Sequence, residues 1–372
     1  MRSTKVKKTP KVLQLEGLFD MEPVEETTRS WDVEFDLKEH DWNIGAVVGP
    51  SGSGKSTLLD SVKEFQTSDM GWDPELSIVD NFDCSIHDAI ALLSSVGFSS
   101  PPSWRQPYHT LSSGEQFRAS VARAMMEANS SGNICTIDEF TSVVDRTVAR
   151  VGSMAIAKNI RRNNQKFVAA TCHYDVLDWL QPDWVLDMAS LKFTWRSVQQ
   201  PERIELEIYR TTYQTWDTFS RYHYLDHGFS KSAIAFVALA DGAPAAFSSA
   251  LSQPSKLPTV REHRTVVLPD YQGIGIGNKL SEFVAALSLT RGYRYISVTT
   301  HPGMVAYRSR SPLWDMVRAP KASSVGQRAS RNNFDGWFGN DAWSSRATHR
   351  RSTGLFEYVG PSAAIEHLEF FN

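Results

Sequence analysis

Two glycine-rich loops lie about 220 residues apart in this 372-residue chain, and each follows an apolar run and precedes a helical pattern. The first reads Gly49-Pro50-Ser51-Gly52-Ser53-Gly54-Lys55-Ser56-Thr57 after Ile44-Gly45-Ala46-Val47-Val48. Glycines let successive backbone N–H groups converge on phosphate without a Cβ in the way. A lysine at the position of Lys55 reaches the β and γ oxygens, and the Ser56 hydroxyl can ligate magnesium. The loop predicts binding of a magnesium nucleoside triphosphate, ATP or GTP. The second loop reads Gln272-Gly273-Ile274-Gly275-Ile276-Gly277 after Thr265-Val266-Val267-Leu268, and it opens a helix predicted over 278–289. Backbone donors at a helix N-terminus favour an anion there as well.

Phosphoryl transfer needs a metal holder and a group that positions water. Asn133-Ile134-Cys135-Thr136-Ile137-Asp138-Glu139 has a buried-strand pattern ending in two carboxylates. Those acids suit the two roles, or they form a solvated strand end. Leu111-Ser112-Ser113-Gly114-Glu115-Gln116 starts a helix whose apolar positions include Phe117, Val121, Ala124 and Met125. Alone, that turn is either an anion site or an ordinary N-cap. Ala169-Ala170-Thr171-Cys172-His173 ends another strand in a histidine, a residue that serves structure or function.

In this order and spacing, the segments resemble the ABC-type ATPases over about residues 12–190. The resemblance implies ATP as the nucleotide, with Gly49, Ser51, Gly52, Ser53, Gly54, Lys55, Ser56 and Thr57 around its phosphates. It implies magnesium (Mg2+) held by Ser56 and, through water, by Asp138, and an attacking water polarised by Glu139. Ser142-Val143-Val144-Asp145 would be the D-loop and His173 the γ-phosphate sensor. Ser112, Ser113, Gly114 and Glu115 correspond to the signature turn, where the family usually has Gly for Ser113 and Gln for Glu115. In this family the signature of one protomer closes on the nucleotide of the other. One cassette per chain therefore implies an ATP-dependent, head-to-tail homodimer. No Q-loop glutamine is assigned, since the segment from Phe65 to Asp80 offers Trp72-Asp73-Pro74-Glu75 instead. Phe19 is the nearest aromatic for the adenine.

The second loop needs its own frame of elements. The pattern predicts a strand over 203–210, a helix over 216–225, and a hairpin in which 233–240 and 243–251 meet at Asp241-Gly242. The strand Thr265–Leu268, the loop with its helix, and the strand 295–300 follow. A Rossmann dinucleotide fold wants its glycine turn in the first βαβ unit and an acid at a later strand end. Here three strands precede the loop, and the later strand ends in Thr299-Thr300-His301. The arrangement resembles the GNAT acyltransferases, whose central motif Gln272 to Gly277 fits, with Leu268-Pro269-Asp270-Tyr271 beside it. The resemblance implies acetyl-CoA or another acyl-CoA. Its pyrophosphate would lie on the amides of Gly273, Ile274, Gly275, Ile276, Gly277 and Asn278, and its pantetheine arm along Val266, Val267 and Leu268. Tyr307 stands where the family's proton donor to the CoA thiolate would be. His301, at a common asparagine position, is a proton shuttle or a turn residue. Glu262 and His263 are base candidates or a solvated strand start, and Arg221 to Leu225 line a substrate region or are half-buried helix aromatics.

The fold class is α/β, with an ABC-type ATPase domain expected over 1–198 and a GNAT-like domain over 199–372, joined at Gln199-Gln200-Pro201-Glu202. The first part has net charge −7 and the second +4. No apolar run of 18 residues suggests a membrane span, and the basic residues before position 12 lack an apolar core, so they read as a solvated tail. Cys84, Cys135 and Cys172 lack pair or metal spacing, which favours a reducing cytoplasm, the host's for a phage-encoded chain. From Gly303 to Arg351 there are nine Arg/Lys against three Asp/Glu, interleaved with Trp314, Phe334, Trp337, Phe338 and Trp343. Nucleic-acid contact needs that combination, and a solvated face over an aromatic core also has it. The pairing of domains resembles archaeal and phage chains, and the second half is loosely similar to the phage Mom type of DNA-base modifier. The expected function is ATP hydrolysis with acyl-CoA-dependent N-acylation of a nucleic acid or a group attached to one. Two alternatives stand beside it: a DNA-binding ATPase of the SMC or repair kind with a GNAT-like docking module, and transfer to a small amine or protein lysine.

Overall fold

In the computed structural model the strands are β1 (Arg2–Lys5), β2 (Glu26–Arg29), β3 (Ile44–Val48), β4 (Cys135–Ile137), β5 (Phe167–Thr171), β6 (Trp184–Asp187) and β7 (Lys192–Trp195). The later strands are β8 (Leu206–Thr211), β9 (Ile234–Ala240), β10 (Ala243–Gln253), β11 (Thr259–Val267), β12 (Arg294–Thr299), β13 (Trp314–Arg318) and β14 (Gly354–Tyr358). The helices are α1 (Pro10–Leu18), α2 (Lys55–Ser61), α3 (Ile86–Ser95), α4 (Pro101–Trp104) and α5 (Ser113–Ser131). They continue with α6 (Arg146–Arg162), α7 (Val176–Leu180), α8 (Trp216–Ser220), α9 (Ile276–Thr290) and α10 (Pro302–Arg308). The structure describes residues 2–29, 33, 35–65, 71–196, 203–224, 228–320 and 353–364. The expected linker 199–202 and the aromatics Phe334, Trp337, Phe338 and Trp343 lie outside them.

Two compact units emerge, and neither is one continuous piece of chain. The first takes its described residues from 2–65, 127–142 and 160–196, the second from 71–126, 143–159 and 203–364.

The first unit is built on a five-stranded sheet in the order β4-β5-β3-β6-β7, parallel except for β7. Strand β3 is buried along its whole length, as its unbroken apolar run requires for a parallel strand covered on both faces. The Trp184 ring lies over Gly45, and any Cβ there would overlap it. Asp183 fixes the start of β3: its Oδ2 accepts from the N–H groups of Asn43 and Ile44 at 2.8 Å each, and its Oδ1 pairs with Arg161 at 3.0 Å. The loop after β3 is thus launched from an anchored strand.

The second unit has a seven-stranded sheet in the order β13-β14-β12-β11-β10-β9-β8. Strands β8 to β11 are antiparallel, and β9 and β10 meet at Asp241-Gly242, both at positive φ, the conformation of a tight hairpin turn. Strands β11 and β12 are parallel but pair only from Thr259↔Arg294 to Arg261↔Ile296. Beyond that point their edges are not paired with each other. Helix α9 packs Leu280, Val284 and Leu287 on one face, against Phe236, Ala246 and Tyr295. The other face holds Trp216, Phe219, Phe247 and Val266. Helices α3, α4, most of α5 and most of α6 belong to this unit too, and they form a helical insertion.

Candidate functional sites

Around the first glycine loop, the backbone takes conformations that only glycine adopts freely: φ is +77° at Gly52 and +97° at Gly54, which starts α2. Lys55 Nζ donates to the carbonyls of Gly49 at 2.8 Å and Pro50 at 2.9 Å, so the ammonium folds over the loop. A cleft of about 330 Å³ lies beside it, lined by Lys55, Ser56, Asp138, Glu139, Ser142 and Cys172 among others. Three distant segments therefore meet in one space: the loop, the end of β4 and the end of β5. The turn after β4 is unusual, with Glu139 at φ +50° and Thr141 at φ +66°. Phe140 holds it, buried against Phe167 with its N–H donating to Ala170 O at 2.8 Å. Strain kept by a buried anchor beside a cleft is typical of a functional turn. His173 lies one residue beyond the cleft-lining Cys172, and its N–H donates to Thr171 Oγ1. Gly49 and Ser53 support the loop from behind, where a Cβ on Gly49 would stand 2.8 Å from Ser53 Oγ.

The donor set suits a magnesium nucleotide. Magnesium favours one or two carboxylates together with phosphate oxygens and water, and Asp138 and the Ser56 hydroxyl share the cleft. Among the described residues no cluster of three His, Cys, Asp or Glu could hold a metal by itself.

The Ser112–Glu115 turn belongs to the second unit. It is a reciprocal capping box: Ser112 Oγ accepts from Glu115 N–H at 3.4 Å, and Glu115 Oε2 accepts from Ser112 N–H at 3.1 Å. Glu115 Oε1 also accepts from Ser103 Oγ at 2.7 Å, so this carboxylate serves the helix start. Asp145 Oδ1 accepts from Val148 N–H at 3.0 Å and starts α6 in the same manner. Trp72 stacks on Tyr108 at 4.4 Å, with Arg123 over its ring, a packing role for the segment that offers no Q-loop glutamine.

The second glycine loop has φ of +93° at Gly273 and +104° at Gly275, and Gly275 starts α9 in the left-handed conformation. The helix begins at Ile276, two residues before its predicted start. Gly277 must be small, because a Cβ would lie 2.8 Å from Val267 Cγ2. Asn278 Oδ1, in the first turn of α9, is buried without a hydrogen-bond partner, and Ile274 in the loop is half-buried. Val266 and Val267 pair with Phe247 and Ala246 of β10, and Leu268 N–H donates to Ala245 O. Val267 O is already in use, accepting from Gln272 Nε2 at 3.0 Å.

Strand β11 starts at Thr259, so Glu262 and His263 sit inside it and not at its start. Glu262 is buried against Arg308, 2.9 Å away, with further hydrogen bonds from Ser297 and Thr265. Burial alone would raise its pKa, but the Arg308 charge and these donors outweigh it and hold the carboxyl down at about 2. An acid so fully paired is a poor base. Tyr307 donates to Glu282 Oε1 at 2.6 Å, and Glu282 also pairs with Lys279 at 3.0 Å. Burial and the Glu282 carboxylate both raise the Tyr307 pKa, so the phenol keeps its proton at neutral pH. His301 precedes α10, and burial lowers its pKa, leaving a neutral ring whose Nδ1 has no partner. Near it, His223 packs edge-on to Trp216, and Tyr224 OH accepts from Thr300 Oγ1 at 3.1 Å. Trp314 is core, packed on Tyr295, Tyr358 and the Arg308 guanidinium, and so is no exposed platform for a base.

A protein-family model, that of the Acetyltransferase (GNAT) family, matches residues 198–308. This part of the chain is a GNAT domain. It contains the glycine loop, the partly paired strands β11 and β12, and Tyr307. Among solved structures, the chain is similar to the dimeric bacterial ABC transporter cassette MJ0796, at 16% identity, TM-score 0.32, over 39% of this chain and 80% of that one. It is similar to a post-hydrolysis form of MJ0796 bound to ADP and Pi, at 17% identity and TM-score 0.34, over 42% and 84%. A bacterial Atm1-family ABC exporter with ATP bound is similar at 16% identity and TM-score 0.32, over 42% and 35%. No curated protein matches the chain. No helix among the described residues is long and apolar enough to cross a membrane.

Sequence reasoning missed Asp183, Arg118 and the Glu262–Arg308 pair. Arg118 could have been found, as a charge on the stripe of α5 that also carries Val121, Ala122 and Met125. The others depend on which elements lie adjacent.

Proposed function

We propose that the chain hydrolyses ATP at the first glycine loop and transfers an acyl group from acyl-CoA to an amine in its GNAT domain. The cleft that gathers Lys55, Ser56, Asp138 and Glu139 from separate segments carries the first half of this reading. In it, Lys55 leaves the loop carbonyls to bind the β and γ oxygens, Ser56 and Asp138 hold magnesium, and Glu139 orients the attacking water. The bound magnesium would supply charge neutralisation at the phosphates. Residues 1–198 carry the ATPase motifs and 199–372 the transferase, and two chains associate head to tail around ATP.

In the GNAT domain the loop Gly273 to Asn278 binds the pyrophosphate of acyl-CoA. The acceptor amine attacks the thioester carbonyl, a C–N bond forms, the C–S bond breaks, and Tyr307 gives its proton to the departing thiolate. His301, neutral and with a free ring nitrogen, can take the proton the amine loses. For the acceptor we favour a nucleic acid or a group attached to one, on the basic and aromatic composition of 303–351 apart from the buried Arg308 and Trp314.

Glu139→Gln tests the ATPase half. Turnover should fall at least 100-fold while MgATP binding persists, and gel filtration with ATP should shift the variant from monomer to dimer. A variant that hydrolyses ATP at the parental rate would remove Glu139 from the reaction.

A further inference from the structure

Within the second unit, the helical insertion grips the acyl-CoA loop. Arg118 lies on α5 one turn beyond Gly114-Glu115, and it is 1% exposed. Its Nη1 donates to Pro269 O and its Nη2 to Asp270 O at 3.2 Å, the two carbonyls that lead into Gln272. The turn after α3 makes a second contact. Gly97, at φ +86°, lies so close to the loop that a Cβ would stand 2.7 Å from Gln272 O. A Cβ on Gly273 would stand 2.5 Å from Gly97 Cα and 2.9 Å from Ala155 Cβ of α6. Gln272 is a bridge: its Oε1 accepts from Ser99 N–H at 2.9 Å while its Nε2 donates to Val267 O. Ser99 O is 3.5 Å from His301 Nε2. The turn 97–99 thus touches the loop after β11 and His301, two residues past the end of β12; these two strands stop pairing beyond Arg261 and Ile296.

We infer that the insertion completes the acyl-CoA site, and that Arg118 links acyl-CoA binding to engagement of the Ser112–Glu115 turn by nucleotide. This rests on the ATP and acyl-CoA reading above. A turn that closes on a phosphate moves the start of a rigid helix, and Arg118 rides on that helix within two turns. The loop must follow, because separation would leave the buried Arg118 guanidinium without these two acceptors. Coupling of this kind is reciprocal: each ligand changes the affinity of the other by the same factor. Arg118 is a positioning residue here, acting through the loop backbone.

The test uses the full chain at fixed protein concentration. CoA is titrated by calorimetry with and without a magnesium complex of a non-hydrolysable ATP analogue, and the analogue is titrated with and without CoA. We expect both dissociation constants to change by the same factor, at least about five-fold. Arg118→Lys keeps the charge and loses the two-pronged donor. It should bring the factor towards one while each ligand alone still binds. A factor of one in the parent chain overturns the inference and leaves the ATP and acyl-CoA reading standing. Failure to bind either ligand alone overturns that reading, and the inference with it. A parental factor in Arg118→Lys removes Arg118 from the linkage, and the parent measurement decides the rest even where a variant fails to fold.

Discussion

At the scale of single residues, the half-buried Tyr307 hydroxyl and the buried Glu262 carboxyl do opposite things. Tyr307 is held protonated beside Glu282, as a proton donor should be, whereas Glu262 is held ionised by Arg308. Tyr307→Phe should lower kcat for acyl transfer by about 100-fold, the lower range of general acid effects, and leave the Kd for CoA unchanged. Steady-state rates and calorimetry separate the two. Glu262 predicts a stability effect instead. Its folded pKa of about 2 lies below the ordinary 4.5, so its stabilisation is complete above pH 4.5 and is lost as pH falls from there through about 2. Arg308→Met should cost about 3–5 kcal/mol in denaturant unfolding at neutral pH, because it strands the carboxylate. The sequence shows Lys55, Ser56, Asp138 and Glu139 by type and order alone. It does not show that Glu262 is spent on Arg308, since 46 residues separate them and only the α10 packing brings them together.

At the scale of elements, glycine spacing is the legible signal and strand length the illegible one. The loop ending at Gly275 and the tight turn at Asp241-Gly242 both need positive φ, so their positions can be read from residue type. Strand β11 begins six residues before the predicted Thr265, through a polar stretch that pairing with β10 keeps extended. Helix α8 stops at Ser220, five residues before the expected 225, once Trp216 and Phe219 are buried. Gly275→Glu tests the loop itself. Space is available at that position, since a Cβ would meet only Lys158 Nζ at 4.0 Å, but the backbone is strained for any side chain and the carboxylate repels phosphate. CoA binding should vanish by calorimetry, while Gly275→Ala, with the same strain and no charge, should retain measurable affinity. Equal loss in both would mean that the conformation, not phosphate repulsion, decides.

At the scale of the whole molecule, the acceptor is the open chemistry. A nucleic-acid acceptor predicts salt-dependent binding, with each neutralised phosphate of duplex DNA contributing about −0.9 to the slope of log K against log salt. Replacing Arg346, Arg350 and Arg351 together with Ala should flatten that slope by up to about three such increments. A parent chain whose binding to DNA and RNA does not respond to salt would point to a small amine or a protein lysine. The charge change between the two halves of the sequence suggested one boundary near 199, yet residues 71–126 and 143–159 pack with the later half. Composition reports how a stretch meets solvent, and it carries no record of which distant segment covers it.

That packing sets an order of events during synthesis. Arg118 and Gly97 leave the ribosome long before Pro269, Gln272 and Gly273, the groups that cover them. At roughly 5–20 residues per second, about 180 residues from Arg118 to the end of β12 take roughly 10–40 s. For that interval the nascent insertion carries a guanidinium and a glycine surface with nothing upon them. Chaperone dependence in cells should therefore track the translation of residues 203–300, the stretch whose arrival lets the earlier half finish folding.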